Sequence, residues 1–313
     1  MKKICVLLST FNGEKYLKEL IDSVLKQDTK NGYLQITLFA RDDGSSDGTV
    51  DILKHYAEKN LITLYDDGKP SCNLGFSKSF SNLLKHAPKA DYYSFCDQDD
   101  VWLPKKLINA VNAFEAEDET LPLMYSTNLI VTDKNLKEIT RETHLHYTRN
   151  SPTQFEENLL QNNTYGCTIV INERLRELYI KVPVEDIKFH DYTMAVIASG
   201  AGKFIYEDNP QILYRQHDGN TIGFYKGSLK NVYRSLEFFF KNDLQNNKYR
   251  NVKICSDYFY DLLPENRKRF VDLLVNYRND KLKKKKLINY IETKISNPFI
   301  KNYSLFLIRL NKF

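Results

Sequence analysis

Asp91-Tyr92-Tyr93-Ser94-Phe95-Cys96-Asp97-Gln98-Asp99-Asp100 is the stretch on which the fold turns. Its first half is a short apolar run that reads as a buried strand over Tyr92–Phe95. Its second half places carboxylates just beyond the strand end. Carboxylates at alternating positions suit a hard divalent cation such as Mg²⁺ or Mn²⁺. Such an ion can neutralise a departing diphosphate. A plain polar turn would use the same residues, so the surrounding pattern has to decide.

Upstream of it, strands and helices alternate. Ile4–Ser9 is a run of Ile, Val and Leu without strict alternation, as expected for a strand covered on both faces. The spacing of Leu17, Leu20, Ile21, Val24 and Leu25 predicts an amphipathic helix over Glu14–Gln27. Leu34–Ala40 is a second strand, ending at Arg41-Asp42-Asp43-Gly44-Ser45. Ser46 or Asp47 can cap a helix running through Val50, Leu53 and Tyr56. Leu61–Tyr65 is a third strand. Asn73–Gly75 opens a helix with Phe76, Phe80, Leu83 and Leu84, and Pro104 suits the first turn of a helix carrying Leu107, Val111 and Phe114. Four such repeats in about 115 residues predict an α/β fold with an open, mostly parallel twisted sheet. Such sheets bind ligands beyond the carboxyl ends of their strands. The loops Thr10–Gly13, Asp42–Ser45 and Asp97–Asp100 converge on that edge.

Further along, Met124–Val131 and Tyr165–Ile171 read as strands, Asp191–Ala198 as a helix and Lys203–Tyr206 as a strand. After about Phe224 the chain turns to long Tyr/Phe/Leu-rich helices with basic faces. This divides it into residues 1–225, with a front half 1–100 and a back half 101–225, and a basic helical region 226–313.

The 313 residues and 42% apolar content allow one large core with an appendage. The five cysteines (Cys5, Cys72, Cys96, Cys167 and Cys255) are scattered and form no CxxC pair. Neither a disulfide framework nor a zinc knuckle is indicated, and a reducing cytoplasmic setting fits. Met1-Lys2-Lys3 and the short apolar run after it read as a first strand, not a leader. No stretch approaches a membrane span. The net charge of +5 is uneven: residues 230–313 hold 19 Lys or Arg against 8 Asp or Glu, leaving the first 229 at −6. An acidic front that binds a nucleotide diphosphate needs a metal or local basic groups.

Other residues bear chemistry. Asp42 and Asp43 can accept hydrogen bonds from a base or ribose, or serve only the turn that Gly44 permits. Neither GxGxxG nor GxxxxGK[ST] follows strand one, which excludes a dinucleotide fingerprint and a P-loop. Asp191, after His190, can act as a general base toward a hydroxyl or merely cap a helix. In Tyr214-Arg215-Gln216-His217-Asp218-Gly219-Asn220, Arg215 can pair with a diphosphate oxygen and His217 can ligate a metal. A solvated loop would contain the same residues. His144 and His146 are spaced for a metal, yet lie in a polar connection that favours a surface position.

Taken in order, Ser9-Thr10-Phe11-Asn12-Gly13, Asp42-Asp43-Gly44-Ser45-Ser46-Asp47-Gly48-Thr49, Asn73-Leu74-Gly75 and Asp97-Gln98-Asp99-Asp100 resemble family 2 glycosyltransferases of the GT-A fold. Asn163-Thr164-Tyr165-Gly166-Cys167-Thr168, His190-Asp191 and Arg215-Gln216-His217 resemble the bacterial rhamnosyltransferase branch. The resemblance covers residues 4–225. It implies that Thr10, Phe11, Asn12 and Glu14 line the nucleotide pocket with Asn73 and Gln98, that Asp42 and Asp43 serve the base end, and that Lys78 reaches phosphate or sugar. Asp97 and Asp99 take the DxD positions at the metal, Mn²⁺ or Mg²⁺, with Asp99 favoured as the direct ligand. His217 closes the metal and diphosphate site. Asp100, Gly166, Cys167 and His190 border the acceptor, and Asp191 is the catalytic base. Many relatives carry Glu-Asp where this chain has His190-Asp191, so His190 is expected to tune acceptor choice.

The implied reaction is inverting transfer of a sugar to a hydroxyl of a cell-surface polysaccharide or an undecaprenyl-diphosphate-linked glycan. dTDP-rhamnose is the first choice of donor and a UDP-hexose or UDP-N-acetylhexosamine the second. A catalytically inactive nucleotide-sugar or glycan-binding module would share the fold. A nucleotidyltransferase would instead show a Gly-rich basic loop where Thr10-Phe11-Asn12-Gly13 stands. The tail, with Phe238-Phe239-Phe240, the Lys281–Lys286 run and Leu305, Phe306, Ile308 and Leu310, can lie on an anionic leaflet, pack on the catalytic domain or form a homodimer. No nucleic-acid module accompanies its charge.

Overall fold

The structure, a computed structural model, describes residues 1–66, 68, 73–140, 153–162, 164–217 and 244–313. Cys72, His144, His146, Asn163, Asp218–Asn220, Phe238–Phe240 and the expected boundary at 225/226 lie outside the described residues.

The front of the chain alternates β1 (Lys2–Thr10), α1 (Leu17–Leu25), β2 (Leu34–Asp42), α2 (Thr49–Glu58), β3 (Thr63–Leu64), α3 (Phe76–His86) and β4 (Tyr92–Cys96). Then follow β5 (Val101–Trp102), α4 (Lys106–Glu115), β6 (Leu123–Thr127), β7 (Ile130–Thr132) and β8 (Glu138–Thr140). The back half adds α5 (Phe155–Leu160), β9 (Val170–Asn172), α6 (Glu173–Tyr179), α7 (His190–Ala201), β10 (Lys203–Glu207) and β11 (Ile212–Arg215). Seven strands form one sheet in the order β10-β6-β9-β4-β1-β2-β3, and β5-β11-β7-β8 form a second, smaller one. In the large sheet only β9 runs against its neighbours, β4 and β6.

The burial of β1 explains its unbroken apolar sequence. Ile4, Val6 and Leu8 point to the face covered by α1 and α4. Cys5 and Leu7 point to the opposite face, covered by α3 and α7. Neither side meets water, so neither side carries a polar alternation. The register pairs Thr10 with Asp42 and Leu8 with Cys96, so the three strand ends and their loops share one edge.

Two expected strands differ. Met124–Val131 is broken at Asn128, whose N–H donates to the Glu207 carbonyl at 3.0 Å while its own carbonyl accepts from Gln211. There the chain leaves the large sheet for the small one. Tyr165–Ile171 begins as a turn over Gly166–Thr168. The Thr168 hydroxyl and N–H both donate to the Tyr165 carbonyl, which closes the turn and leaves strand only from Val170. β3 is two residues long, and Pro104 precedes α4 rather than opening it.

The C-terminal helices are α8 (Leu244–Ile254), α9 (Glu265–Asn276), α10 (Lys281–Lys294) and α11 (Pro298–Arg309). Their apolar faces form a third core with Phe155, Leu159 and Leu160 of α5 and Tyr192 and Val196 of α7. Buried Glu157 fastens the junction: its Oε1 accepts from the Ser296 N–H, the Ser296 hydroxyl and the Asn297 N–H.

Candidate active site

The β1–α1 and β2–α2 loops are laced into one unit. Asn12 takes a left-handed backbone (φ 49°). Its N–H donates to Ser45 Oγ and its Oδ1 accepts from the Ser46 N–H, both at 2.8 Å. Glu14 Oε2 accepts from the Gly48 N–H at 2.6 Å. The β4 loop is joined to them through Gln98. Its amide accepts from the Phe11 N–H at 2.8 Å and donates to the Phe11 carbonyl at 2.9 Å. A Cβ at position 13 would collide with that amide, which is why glycine stands there. Phe11 itself is exposed at the rim.

Beneath this lacing two aspartates are structural. Asp42 accepts from Thr10 Oγ1, Ser45 Oγ and the Gly44 and Ser45 N–H groups. Those four bonds use the acceptor sites of a carboxylate. Asp42 therefore shapes the end of the pocket rather than offering a free acceptor. Asp43 is buried against Arg41 and accepts from the N–H groups of Leu74 and Gly75. Its expected ligand contact is corrected: it anchors the entry to α3. Asn73, exposed, closes the same turn onto the Gly75 N–H. Lys78 is exposed on the first turn of α3.

A cavity of about 630 Å³ opens beside the laced loops, lined by Asn12, Gly13, Lys15, Tyr16, Gln98, Asp99, Asp133, Lys134, Gln216 and His217. Asp99 and His217, 118 positions apart in sequence, meet here: His217 Nε2 lies 2.8 Å from Asp99 Oδ2. The His217 ring packs on Tyr16, with centroids 4.8 Å apart. Arg215 lies below it and is buried. Its guanidinium donates to the carbonyls of Asp99 (2.8 Å) and Lys134 (2.9 Å), pairs with Glu19 and stacks on Tyr16 at 4.5 Å. Arg215, expected to meet a diphosphate, instead has its three guanidinium nitrogens on the Asp99 carbonyl, the Lys134 carbonyl and the Glu19 carboxylate.

Of the rest of the acid cluster, Asp97 is half-buried and Asp100 points inward. Asp100 is fully buried, and its Oδ1 accepts from the Arg215 N–H at 3.1 Å. Asp97, Asp100 and Cys167 bring one ligand atom each within 4.8 Å of one another. Burial pushes both carboxyls up, Asp97 to about 7 with help from Asp99 and Asp191, and Asp100 well above the usual range. Cys167 is buried beneath them, its thiol also pushed far up by burial. Asp100 and Cys167, expected to border the acceptor, are both buried under the loop. Buried Lys106 sits there too. Its Nζ donates to Ser94 Oγ at 2.9 Å and lies 4.0 Å over the Trp102 ring. Burial lowers its pKa to about 8, opposed by the charges of Cys96, Cys167 and Asp100.

Asp191 opens α7. Its Oδ1 accepts from the Tyr192 N–H at 2.7 Å and its Oδ2 from Asn162 Nδ2 at 3.2 Å. Burial outweighs those bonds and lifts its pKa to about 6. That poises it to hold or release a proton near neutrality. His190 is buried in an aromatic box, its ring 4.8 Å from Phe80 and 5.1 Å from Phe95. Neither ring nitrogen has a partner, and burial drops its pKa to about 3, so the imidazole is neutral. Gly166 closes over the pair: a Cβ there would lie 2.9 Å from His190 Nε2 and 3.9 Å from Asp191 Cβ.

The donor set fits a divalent cation. Asp99 supplies a carboxylate oxygen and His217 an imidazole nitrogen, and that mixture suits Mn²⁺ better than Mg²⁺.

The sequence pattern of glycosyl transferase family 2 matches residues 5–178, more than half of the chain. This chain belongs to that family. It is 29% identical over 233 residues to the dTDP-rhamnosyl transferase RfbG of Shigella flexneri, covering 69% of this chain and 73% of RfbG. Among solved structures it is similar to S. aureus TarS 1-349, with a TM-score of 0.56 at 16% identity over 99% of this chain and 88% of that one. It is also similar to the mannosyltransferase PcManGT from Pyrobaculum calidifontis, solved with GDP-Man and Mn²⁺, with a TM-score of 0.50 at 14% identity, covering 99% and 87% of the two chains. These likenesses show the GT-A fold. The family membership makes the chain a glycosyltransferase.

Several residues that hold the candidate site together gave no sequence signal of their own. Asn162, which holds Asp191, precedes the Tyr165–Gly166 segment and was hidden by it. Tyr16 and Glu19 read as ordinary members of α1, yet they carry His217 and Arg215. Lys106 was not singled out on α4. A lysine within an apolar helix face was the one hint available.

Proposed function

We propose that this chain is an inverting, divalent-metal-dependent glycosyltransferase whose donor is dTDP-rhamnose. Its acceptor would be a hydroxyl of a polysaccharide or lipid-linked glycan. In this reading residues 1–100 hold the donor, 101–225 present the acceptor, and 226–313 are a separate basic helical region. The observation that carries it is the meeting of Asp99 with His217 at the mouth of the cavity, with Asp191 near enough to raise the pKa of Asp97.

Asp99 and His217 would hold the cation, which supplies neutralising charge for the nucleoside diphosphate as it departs. Thr10, Asn12, Glu14 and Asp42 keep the nucleotide loops in one rigid arrangement. Asp191 takes the proton from the acceptor hydroxyl as that oxygen attacks the anomeric carbon from the face opposite the leaving group. Gly166 leaves room for the buried, neutral His190 ring beside Asp191, and that ring would tune acceptor choice through packing.

The likeness to RfbG, a dTDP-rhamnosyl transferase, supports the donor choice. TarS has been solved with UDP-GlcNAc, which favours a UDP-N-acetylhexosamine as the second reading. A thermal-shift screen of nucleotide sugars with Mn²⁺ separates the two, since a ligand that binds only the native state raises its melting temperature. Selective stabilisation by dTDP-rhamnose is expected, and selective stabilisation by a UDP-sugar would overturn the choice.

A further inference from the structure

We propose that the pole formed by the first turn of α10 and the last turn of α11 is a contact surface for an anionic phospholipid membrane. The two turns are physically joined. Lys284 Nζ donates to the Arg309 carbonyl and to Asn311 Oδ1, both at 2.9 Å. The end of α9 closes the same pole, where Tyr277 and Arg278 bond to Phe313.

Apolar exposure concentrates there. Leu282 is 61% exposed, Phe306 58% and Leu310 51%; among the described residues only Met1 is a more exposed large apolar side chain. Phe306 and Leu310 are one turn apart on α11, turned away from the buried face made by Ile300, Leu307 and Ile308. Side chains of this size held in water at one place are the mark of an interaction surface.

Charge surrounds them. Residues 281–313 contain nine Lys or Arg and one acid, Glu292. Lys281, Lys285, Lys286, Arg309 and Lys312 are exposed. Glu292 is paired with Arg309 at 3.4 Å, and Asp280 is occupied capping α10. No helix among the described residues is long and apolar enough to cross a membrane. Exposed Leu and Phe ringed by lysine fit a surface that offers both anionic headgroups and an acyl boundary. A soluble polyanion would account for the lysines but not for the three apolar side chains.

The test is co-sedimentation of the full chain with vesicles of 30% phosphatidylglycerol in phosphatidylcholine, and with phosphatidylcholine alone. Binding to the anionic vesicles, weakened by salt, is expected. Lys281, Lys285, Lys286 and Lys312 changed together to Gln should weaken it about fivefold per residue. Phe306→Ser with Leu310→Ser should weaken it about tenfold or more. Both variants change exposed side chains, so an unaltered melting temperature serves as the control. The proposal fails if the chain ignores anionic vesicles, or if neither variant loses binding. Loss in the Gln variant alone, with dextran sulfate competing fully, would reassign the pole to a soluble polyanion. Self-association without vesicles that the Ser variant abolishes would reassign it to a second copy of the chain. None of these readouts depends on the donor or on transfer.

Discussion

Asp191→Asn separates catalysis from folding in one substitution. The amide keeps the size of the side chain and can still accept from the Tyr192 N–H at the start of α7. It cannot take a proton. Loss of a general base typically costs 10²–10⁴ in rate, which is about 3–5 kcal/mol of transition-state stabilisation. Donor affinity should hardly change, because Asp191 lies outside the lining of the cavity. Stability should move the other way. Burial raises the Asp191 pKa from 3.8 to about 6. A raised carboxyl pKa means that its stabilising contribution is complete below pH 3.8 and lost as pH rises through 6. At pH 7.5 the ionised group therefore costs native stability on the order of 1–3 kcal/mol. The variant should melt higher than wild type at pH 7.5, and the difference should vanish near pH 4. Rates are read by release of nucleoside diphosphate with saturating acceptor, and stability by melting curves across pH. Transfer within fivefold of wild type would refute the base assignment. A variant that is inactive but also markedly less stable at pH 7.5 would refute the electrostatic reasoning.

Asn162→Ala removes a hydrogen bond that favours ionised Asp191, so the acid limb of the wild-type pH–rate profile, expected near pH 6, should shift to higher pH. An unshifted limb would show that another group controls it. Gly166→Val places a branched side chain where even a Cβ would be 2.9 Å from His190 Nε2, and the aromatic box leaves that ring no room to retreat. A rise in acceptor KM of tenfold or more and a stability loss of about 1–3 kcal/mol are expected, measured by acceptor titration and denaturant unfolding; unchanged KM would place the acceptor elsewhere. Glu157→Ala strips three donors of their buried acceptor at the C-terminal junction, and should cost about 2–4 kcal/mol in melting experiments while leaving donor binding intact.

The front of the fold is legible because β1, β4 and the second half of β2 are buried on both faces and their loops are short and polar. Hydrophobic periodicity reports such elements directly. The back half is less legible. Met124–Val131 reads as one continuous strand in sequence, yet Asn128 diverts the chain between two sheets through bonds to Glu207 and Gln211, about 80 positions away. Thr168 closes a turn within an apolar run that reads equally well as strand. The candidate site shows the same divide. Asp97, Asp99, Asp191 and His217 are chemically suggestive in sequence, but their distances are tertiary facts. Asp43 and Arg215 carry equally suggestive side chains and are used up inside the structure, and Asp100 and Cys167 are buried beneath the loop. Burial and partners distinguish the two sets, and neither is written in local spacing. Asn162, Tyr16 and Lys106 matter only through what they touch.

The central claim is that Asp99 and His217 together hold a divalent cation for a nucleotide-sugar donor. Electron paramagnetic resonance of free Mn²⁺ measures this directly in the presence of dTDP-rhamnose. Titration with wild-type protein should remove the six-line signal with one ion bound per chain, while His217→Ala and Asp99→Asn, folded by melting curve, should leave most of it. Equal loss of signal with all three proteins would contradict the account.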